Sequence, residues 1–220
     1  SIDPHAEAQE LKTILESGRR AFEVSVHPQP SFHTFSDSMR SARPRNVRML
    51  NLVGHANDRC GFFWLKDNKL EYEQVPMDSL VELIKTEAAG NGGTIELAVL
   101  GACETEKMGR ALRKAGVPHV VCWRSEVQDA TAKHFVICFY QCLDQQDVAH
   151  RNYALAFQQA VARMKSGEGA TRAGAKHLAA GAVDYVCFLS ESGDQFPPTG
   201  RILGLEGSSS SGDNDRRNMR

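Results

Sequence analysis

IELAVLGAC, at residues 95–103, contains the clearest strand signal in the chain and ends on a cysteine. Apolar residues fill positions 95–100 except for Glu96. A short apolar run of this kind is typical of a strand that is buried on both faces of a parallel sheet. The chain then passes through Gly101 and Ala102 into a helical pattern. Cys103 is therefore predicted to lie at the carboxyl end of a buried strand and at the start of a helix.

Strands and helices alternate on both sides of this stretch. Helical patterns occur at residues 5–18, 31–42, 77–89, 105–114, 127–142 and 154–164. Strand patterns occur at residues 22–26, 47–53, 95–100, 117–122 and 182–189, and residues 61–75 have the pattern of a β-hairpin with a tight turn. This order predicts an α/β fold with a mostly parallel central sheet and right-handed crossovers.

Length, composition and charge predict a single domain without a nucleic-acid or membrane partner. The chain has 220 residues, of which 41% are hydrophobic, and we expect one domain at 5–206 and a disordered tail at 207–220. The net charge of -1 gives no electrostatic reason to expect nucleic acid or an anionic membrane as partner. With no long apolar run and no secretory signal, we expect a cytoplasmic protein. The chain starts at Ser1, which leaves open that it is a fragment of a longer protein.

The cysteines predict reduced thiols and no metal centre. Their spacing includes no CxxC pair and matches no zinc or iron–sulfur pattern, so we expect no cofactor. Cys60 precedes the predicted hairpin. Four others lie in apolar runs, where a cysteine is usually a small buried residue: Cys122, Cys138, Cys142 and Cys187. Only Cys103 has a position that favours reactivity.

Cys103 and His55 are the candidate reactive pair. A helix start favours a thiolate, and a nearby imidazole would help to ionise a thiol whose reference pKa is about 8.5. His55 directly follows the predicted strand at 47–53, and no other histidine has an equivalent position. In open α/β sheets, chemistry is placed at the carboxyl ends of the strands. The alternative is that both residues are structural and occupy these positions by chance.

Six segments, taken in order, resemble the CHAT domain, a family of the caspase-like clan of cysteine peptidases that also contains separase. They are LVGH at 52–55, GFFWL at 61–65, LAVLGACET at 97–105, AGVPHVVCW at 115–123, VQD at 127–129 and FY at 139–140. The resemblance covers roughly residues 20–165. It implies a caspase-like three-layer sandwich with a β-hairpin after the histidine strand, and a catalytic dyad of His55 and Cys103.

The resemblance also implies roles for the residues around the dyad. Cys103 would attack the scissile carbonyl and His55 would protonate the leaving amine, with the backbone N–H groups of Cys103 and Ala56 holding the oxyanion. Ala56 replaces the glycine that the family usually has. Asp129 would face a basic P1 side chain, as in separase-like relatives, or would instead cap the following helix. From its position alone, Glu104 is expected to favour the helix N-terminus electrostatically rather than to act in catalysis.

These features predict a cysteine endopeptidase that acts on a protein or peptide substrate, with a possible requirement for an activating or regulatory protein partner. The alternative is a catalytically silent caspase-like module for signalling or scaffolding. Two features favour that alternative: Ala56 at the oxyanion position, and the lack of a candidate for the first sheet strand before residue 5.

Overall fold

The computed structural model describes residues 4–18, 22–27, 31–42, 47–57, 61–65, 71–147, 150–166 and 182–195. The helices are α1 (Pro4–Glu16), α2 (Phe32–Ala42), α3 (Met77–Lys85), α4 (Glu106–Lys114), α5 (Asp129–Asp144) and α6 (Tyr153–Lys165). The strands are β1 (Met49–Val53), β2 (Ala56–Asn57), β3 (Gly61–Leu65), β4 (Tyr72–Gln74), β5 (Leu97–Gly101), β6 (His119–Trp123) and β7 (Val186–Ser190).

The central sheet has four strands in the order β1-β5-β6-β7. β1 and β6 both pair with β5 in parallel, and β7 pairs with β6 in antiparallel orientation. Every residue of β5 is buried, whereas burial alternates along the edge strand β1. An inner strand such as β5 is covered on both faces, and the edge strand β7 is also buried along its whole length. The predicted α/β fold with a mostly parallel sheet is confirmed.

Two apolar clusters cover the two faces of the sheet and give the domain three layers. On one face, Leu97, Val99 and Trp123 pack with residues of α1, α5 and α6. On the other face, Ala98 and Leu100 pack with residues of α2, α3 and α4. Alternate residues of β5 therefore anchor opposite helical layers, as the period of a strand requires.

Helix α4 lies very close to the sheet because of a glycine. A β-carbon at Gly109 would be 2.8 Å from Cys122 Sγ and 3.2 Å from Leu189 Cδ1, which are side chains of β6 and β7. Met108 and Leu112 form the rest of its buried face. The turn that connects β5 to α4 is therefore held between two tightly packed elements.

A second, three-stranded antiparallel sheet in the order β2-β3-β4 follows β1. β3 and β4 pair with Trp64 opposite Glu73, in the part of the chain where a hairpin was predicted, and the connecting residues 66–70 lie outside the described part of the chain. Trp64 packs against Phe32 and Phe35 of α2 at centroid distances of 5.4 and 5.0 Å. Phe62 is buried in the same apolar cluster, so this sheet joins the core through both Phe62 and Trp64.

Some predicted elements were wrong. Residues 22–27 form no strand. Their burial alternates because Phe22 and Val24 pack against the apolar cluster of the helices and not against a neighbouring strand. The helix predicted over 77–89 ends at Lys85, and Ala88 instead bridges to Ile95. The expectation of a single domain at 5–206 stays a prediction, and the predicted tail at 207–220 lies outside the described residues.

Candidate active site

His55 and Cys103 follow neighbouring strands whose register aligns them. In the parallel β1–β5 pair, Val53 lies opposite Gly101. His55 and Cys103 each come two residues later in the chain. Because adjacent strands lie about 4.8 Å apart, the two segments leave the sheet side by side at its carboxyl edge. The fold therefore brings the two predicted residues to one place.

The two side chains have different surroundings. His55 is exposed and Cys103 is half-buried. Cys103 Sγ lies 3.4 Å from the backbone N and 3.5 Å from the backbone O of Val127. Within the described part of the chain, the hydrogen-bond partner of this sulfur is Val127 and not the His55 ring. The structure thus places the pair at one edge without a direct proton-transfer contact.

Cys103 lies in a turn and not at the start of the helix, which corrects the prediction from sequence. Helix α4 begins at Glu106, after Thr105 as N-cap. Between them, Glu104 has φ 51°, and it is the one non-glycine residue of the described chain with positive φ. A left-handed conformation costs about 1–2 kcal/mol for an ordinary residue. The backbone next to Cys103 is therefore strained, a feature that often occurs at functional sites.

Thr105 ties this turn to the end of β6. Its side chain is 1% exposed, and its Oγ1 accepts a hydrogen bond from Trp123 N at 3.0 Å. The same hydroxyl donates to Ala102 O at 3.2 Å. Thr105 makes no side-chain bond to its own helix, although it is the N-cap residue. The sequence placed Thr105 within the helix predicted at 105–114, and its role in holding the turn depends on the tertiary fold.

The hydrogen bonds between β2 and β3 determine the direction of the Ala56 backbone N–H. Phe63 N donates to His55 O at 2.9 Å, so residues 55 and 63 form a hydrogen-bonded pair of the antiparallel ladder. Ala56, opposite Phe62, is then a non-hydrogen-bonded position, and its N–H points away from β3. The alanine leaves this donor available, since only the side chain differs from glycine.

Asp129 is the first residue of helix α5, and its side chain lies outside what the structure describes. The N-cap of α5 is Gln128, with φ -67° and ψ 135°. The helix cap is therefore one residue before Asp129, because Gln128 still has an extended backbone. The predicted contact with a basic substrate side chain stays a prediction.

A charged cleft of about 390 Å³ begins at the residue after Cys103. Its lining residues are Glu104, Glu106, Lys107, Arg110 and Arg124. Glu106 binds Arg110 at 2.7 Å and Arg124 at 3.3 Å, and Arg110 also reaches Asp194 at 3.0 Å. These pairs fix the rim of the cleft and balance most of its charge.

His119, His134 and four of the other cysteines belong to the core, whereas His27, His33 and His150 are exposed. His134 lies 3.7 Å from Cys138 Sγ on α5, and His119 stacks on Phe188. Burial is the main cause that lowers the pKa of His119. The prediction that four cysteines are buried is confirmed for Cys122, Cys138, Cys142 and Cys187. Cys60 lies outside the described residues.

Comparison with known protein families gives a match over most of the chain. A family model described as CHAT domain matches residues 3–182. No curated protein matches the chain. Over the ranges that the structure describes, no three His, Cys, Asp or Glu residues are grouped so that they could hold a metal ion. In the same ranges, the helices are too short or too polar to cross a membrane.

Proposed function

Since the chain belongs to the CHAT domain family, which is related to the caspase-like cysteine peptidases, we propose that it is a cysteine endopeptidase with Cys103 as nucleophile. The observation that carries the proposal is the register of β1 and β5, which aligns His55 with Cys103 at the carboxyl edge of the sheet. The strained turn at Glu104 supports it, because a reactive residue on a strained strand-to-helix turn is a recurrent arrangement in hydrolases.

In the first step, a proton passes from Cys103 Sγ to a ring nitrogen of His55, and the thiolate attacks the carbonyl carbon of the scissile peptide. The carbonyl oxygen becomes an oxyanion, which the N–H groups of Cys103 and Ala56 stabilise. As the tetrahedral intermediate collapses, the C–N bond breaks and His55 gives its proton to the leaving amine. Water then attacks the thioester with His55 as base, which releases the acid product and restores the thiol.

We further propose that Asp129 selects a basic P1 residue. This part rests on the family resemblance of the segment at 127–129 and on the position of Asp129 at the start of α5, two residues after the backbone that contacts Cys103. A carboxylate in a substrate pocket pairs strongly with Arg or Lys.

The third part of the proposal is a regulatory protein partner, whose binding brings His55 and Cys103 into contact.

A silent module for signalling or scaffolding is the second candidate. The observation that favours it is the contact of Cys103 Sγ with Val127, in place of a hydrogen bond to His55. A protein that keeps this arrangement under all conditions would have no imidazole in contact with the Cys103 sulfur to carry the proton. The two candidates differ in one measurable property, which is the reactivity of Cys103 towards a substrate-like electrophile.

The test is labelling of the purified chain with a peptidyl acyloxymethyl ketone that carries P1 Arg, with a P1 Asp analogue in parallel and the adduct located by mass spectrometry. We expect Cys103 to be labelled fastest among the six cysteines, and His55→Ala to slow its labelling by about a hundredfold. His33→Ala is the matched control, because His33 is an exposed histidine on α2 in an ion pair with Asp37. Labelling of Cys103 no faster than that of the other thiols would favour the silent module.

The pocket assignment has its own pair of variants. Asp129→Asn should reduce the preference for the P1 Arg ketone over the P1 Asp ketone by about tenfold, because a charge-assisted hydrogen bond contributes about 1.5–3 kcal/mol. Asp78→Asn is the control, since Asp78 is also an acidic residue in the first turn of a helix. Equal preference in wild type and Asp129→Asn would remove Asp129 from the pocket and leave the dyad intact.

A further inference from the structure

We propose that the backbone N–H of Val127 holds the Cys103 sulfur as a thiolate, which makes the Trp123–Val127 segment part of the active site. The inference rests on the proposed role of Cys103 as nucleophile. It adds to the dyad a positioning group that comes from the connection between β6 and α5, outside the turn that carries the cysteine.

Three contacts in antiparallel order join this segment to the turn. Trp123 N donates to Thr105 Oγ1 at 3.0 Å, and Glu104 N donates to Ser125 O at 3.2 Å. Val127 N lies 3.4 Å from Cys103 Sγ and completes the series. Val127 is also half-buried against the apolar cluster of α5. The amide that faces the sulfur is therefore fixed by the fold at both ends of the segment.

The two backbone groups of Val127 respond differently to the charge of the sulfur. A neutral thiol donates its S–H to Val127 O and accepts from Val127 N–H, as the 3.5 and 3.4 Å distances allow. When the proton moves to His55, the electron pair stays on the sulfur, the bond to the carbonyl is lost and the bond from the N–H becomes stronger. Ionisation thus leaves the amide as the group that holds the nucleophile.

Proline at position 127 removes this donor and tests the inference. We would measure alkylation of Cys103 by iodoacetamide between pH 5 and 10 in Val127→Pro and Val127→Ala, with the adduct located by mass spectrometry. Both variants lose the valine side chain, but only Val127→Pro loses the N–H. At pH 7 we expect Cys103 to be alkylated about tenfold more slowly in Val127→Pro than in Val127→Ala, and the midpoint of the pH profile to lie at higher pH. The reason is that one hydrogen bond to the thiolate shifts the midpoint by about one pH unit.

Gln128→Pro controls for the effect of proline on the segment. Gln128 has φ -67°, which proline adopts without strain, and this change keeps the N–H of Val127. Its alkylation profile should match that of the wild type. Equal profiles in Val127→Pro and Val127→Ala would overturn the inference.

A second measurement covers the case in which Val127→Pro does not fold. In the wild type, the amide proton of Val127 should show an NMR shift with pH at the same midpoint as Cys103 alkylation, and Cys103→Ala should abolish that shift. A Val127 amide that does not titrate, or that still titrates in Cys103→Ala, would contradict the inference. Iodoacetamide requires no peptide binding, so a wild type that cleaves no peptide can still show the Val127 effect. Failure of the endopeptidase proposal is thereby distinguished from failure of this inference.

Discussion

The two ends of the central sheet are built differently. At the amino end of its strands, side chains pair with one another. Arg48 Nη2 donates to the two carboxylate oxygens of Glu96 at 2.6 and 2.8 Å, and the Tyr153 hydroxyl donates to the same carboxylate at 2.8 Å. At the carboxyl end, His55 is exposed, and the Cys103 sulfur has the backbone of Val127 as its hydrogen-bond partner in the described chain. Order at this end comes from the main chain and from the buried hydroxyl of Thr105.

This difference separates stability from reactivity within one sheet. At the amino end, the side chains of Arg48, Glu96 and Tyr153 bind one another and stabilise that edge of the sheet. The carboxyl end keeps an exposed imidazole, and its thiol is bound by main-chain groups of Val127 rather than by a side chain. The arrangement agrees with the general placement of chemistry at the carboxyl ends of parallel strands. Variants at the two ends should therefore affect different measurements.

Thr105→Val is expected to have the largest effect, since it acts on the support of the carboxyl end. Loss of the hydroxyl leaves the buried N–H of Trp123 without its acceptor, which should lower the free energy of unfolding by about 2 kcal/mol. Urea denaturation measures this loss, and labelling by the P1 Arg ketone should slow in the same variant. Thr105→Ser keeps the hydroxyl and should retain most of the stability and most of the labelling rate of the wild type. A Thr105→Val protein as stable as Thr105→Ser would show that the hydrogen bond has no structural role.

Tyr153→Phe tests the amino end. It removes the hydrogen bond to Glu96 and should lower the free energy of unfolding by about 1 kcal/mol. Iodoacetamide labelling of Cys103 should remain at the wild-type rate, because the contacts of the sulfur lie at the opposite end of the strands. A slower reaction of Cys103 in this variant would show that the two ends are coupled, contrary to the comparison.

The carboxyl end of β5 could be predicted from sequence because the signal is local. The apolar run at 95–100 has the composition of a buried strand, and the observed β5 extends over Leu97–Gly101. His55 and Cys103 could likewise be assigned to one edge from the alternation of elements. The end of each element was less predictable, since Ile95 forms only a bridge to Ala88.

The supporting contacts could not be predicted, because they join residues that are distant in sequence. Thr105 and Trp123 are 18 residues apart, and Cys103 and Val127 are 24 residues apart. Their contact depends on the packing of β6 beside β5 and not on any local pattern. The alternating apolar residues at 22–26 misled for the same reason, since a strand pattern does not specify a partner strand.

Glu104→Gly should have a smaller effect of opposite sign. Glycine adopts positive φ without a steric penalty, so relief at φ 51° should exceed the added freedom of the unfolded chain and stabilise the protein by about 0.5 kcal/mol. Glu126→Gly is the matched control, because Glu126 is exposed in the same region and has negative φ. It should destabilise the protein by about 0.5 kcal/mol. Urea denaturation measures the change in the free energy of unfolding in each variant. A change of the same sign in both variants would argue against strain at Glu104.

The smallest expected effect is the pH dependence that His119 gives to the amino end. Burial lowers the pKa of His119, the guanidinium of Arg113 lowers it further, and its Nδ1 has no hydrogen-bond partner in the described structure. Below the ordinary histidine pKa of about 6.5, the unfolded chain binds a proton that the folded chain binds only at lower pH. Stability should therefore fall as the pH decreases from about 6.5 towards the folded pKa, and change no further from this cause below it.

His119→Phe removes this titration and keeps a ring of similar shape against Phe188 and Tyr153. Urea midpoints between pH 5 and 8 should decrease on acidification less steeply in the variant than in the wild type. Because His119 lies at the amino end of β6, alkylation of Cys103 should follow the same pH profile in both proteins. Parallel stability curves would mean that His119 does not titrate differently in the folded chain, and a shifted alkylation profile would mean that the amino end communicates with the reactive edge.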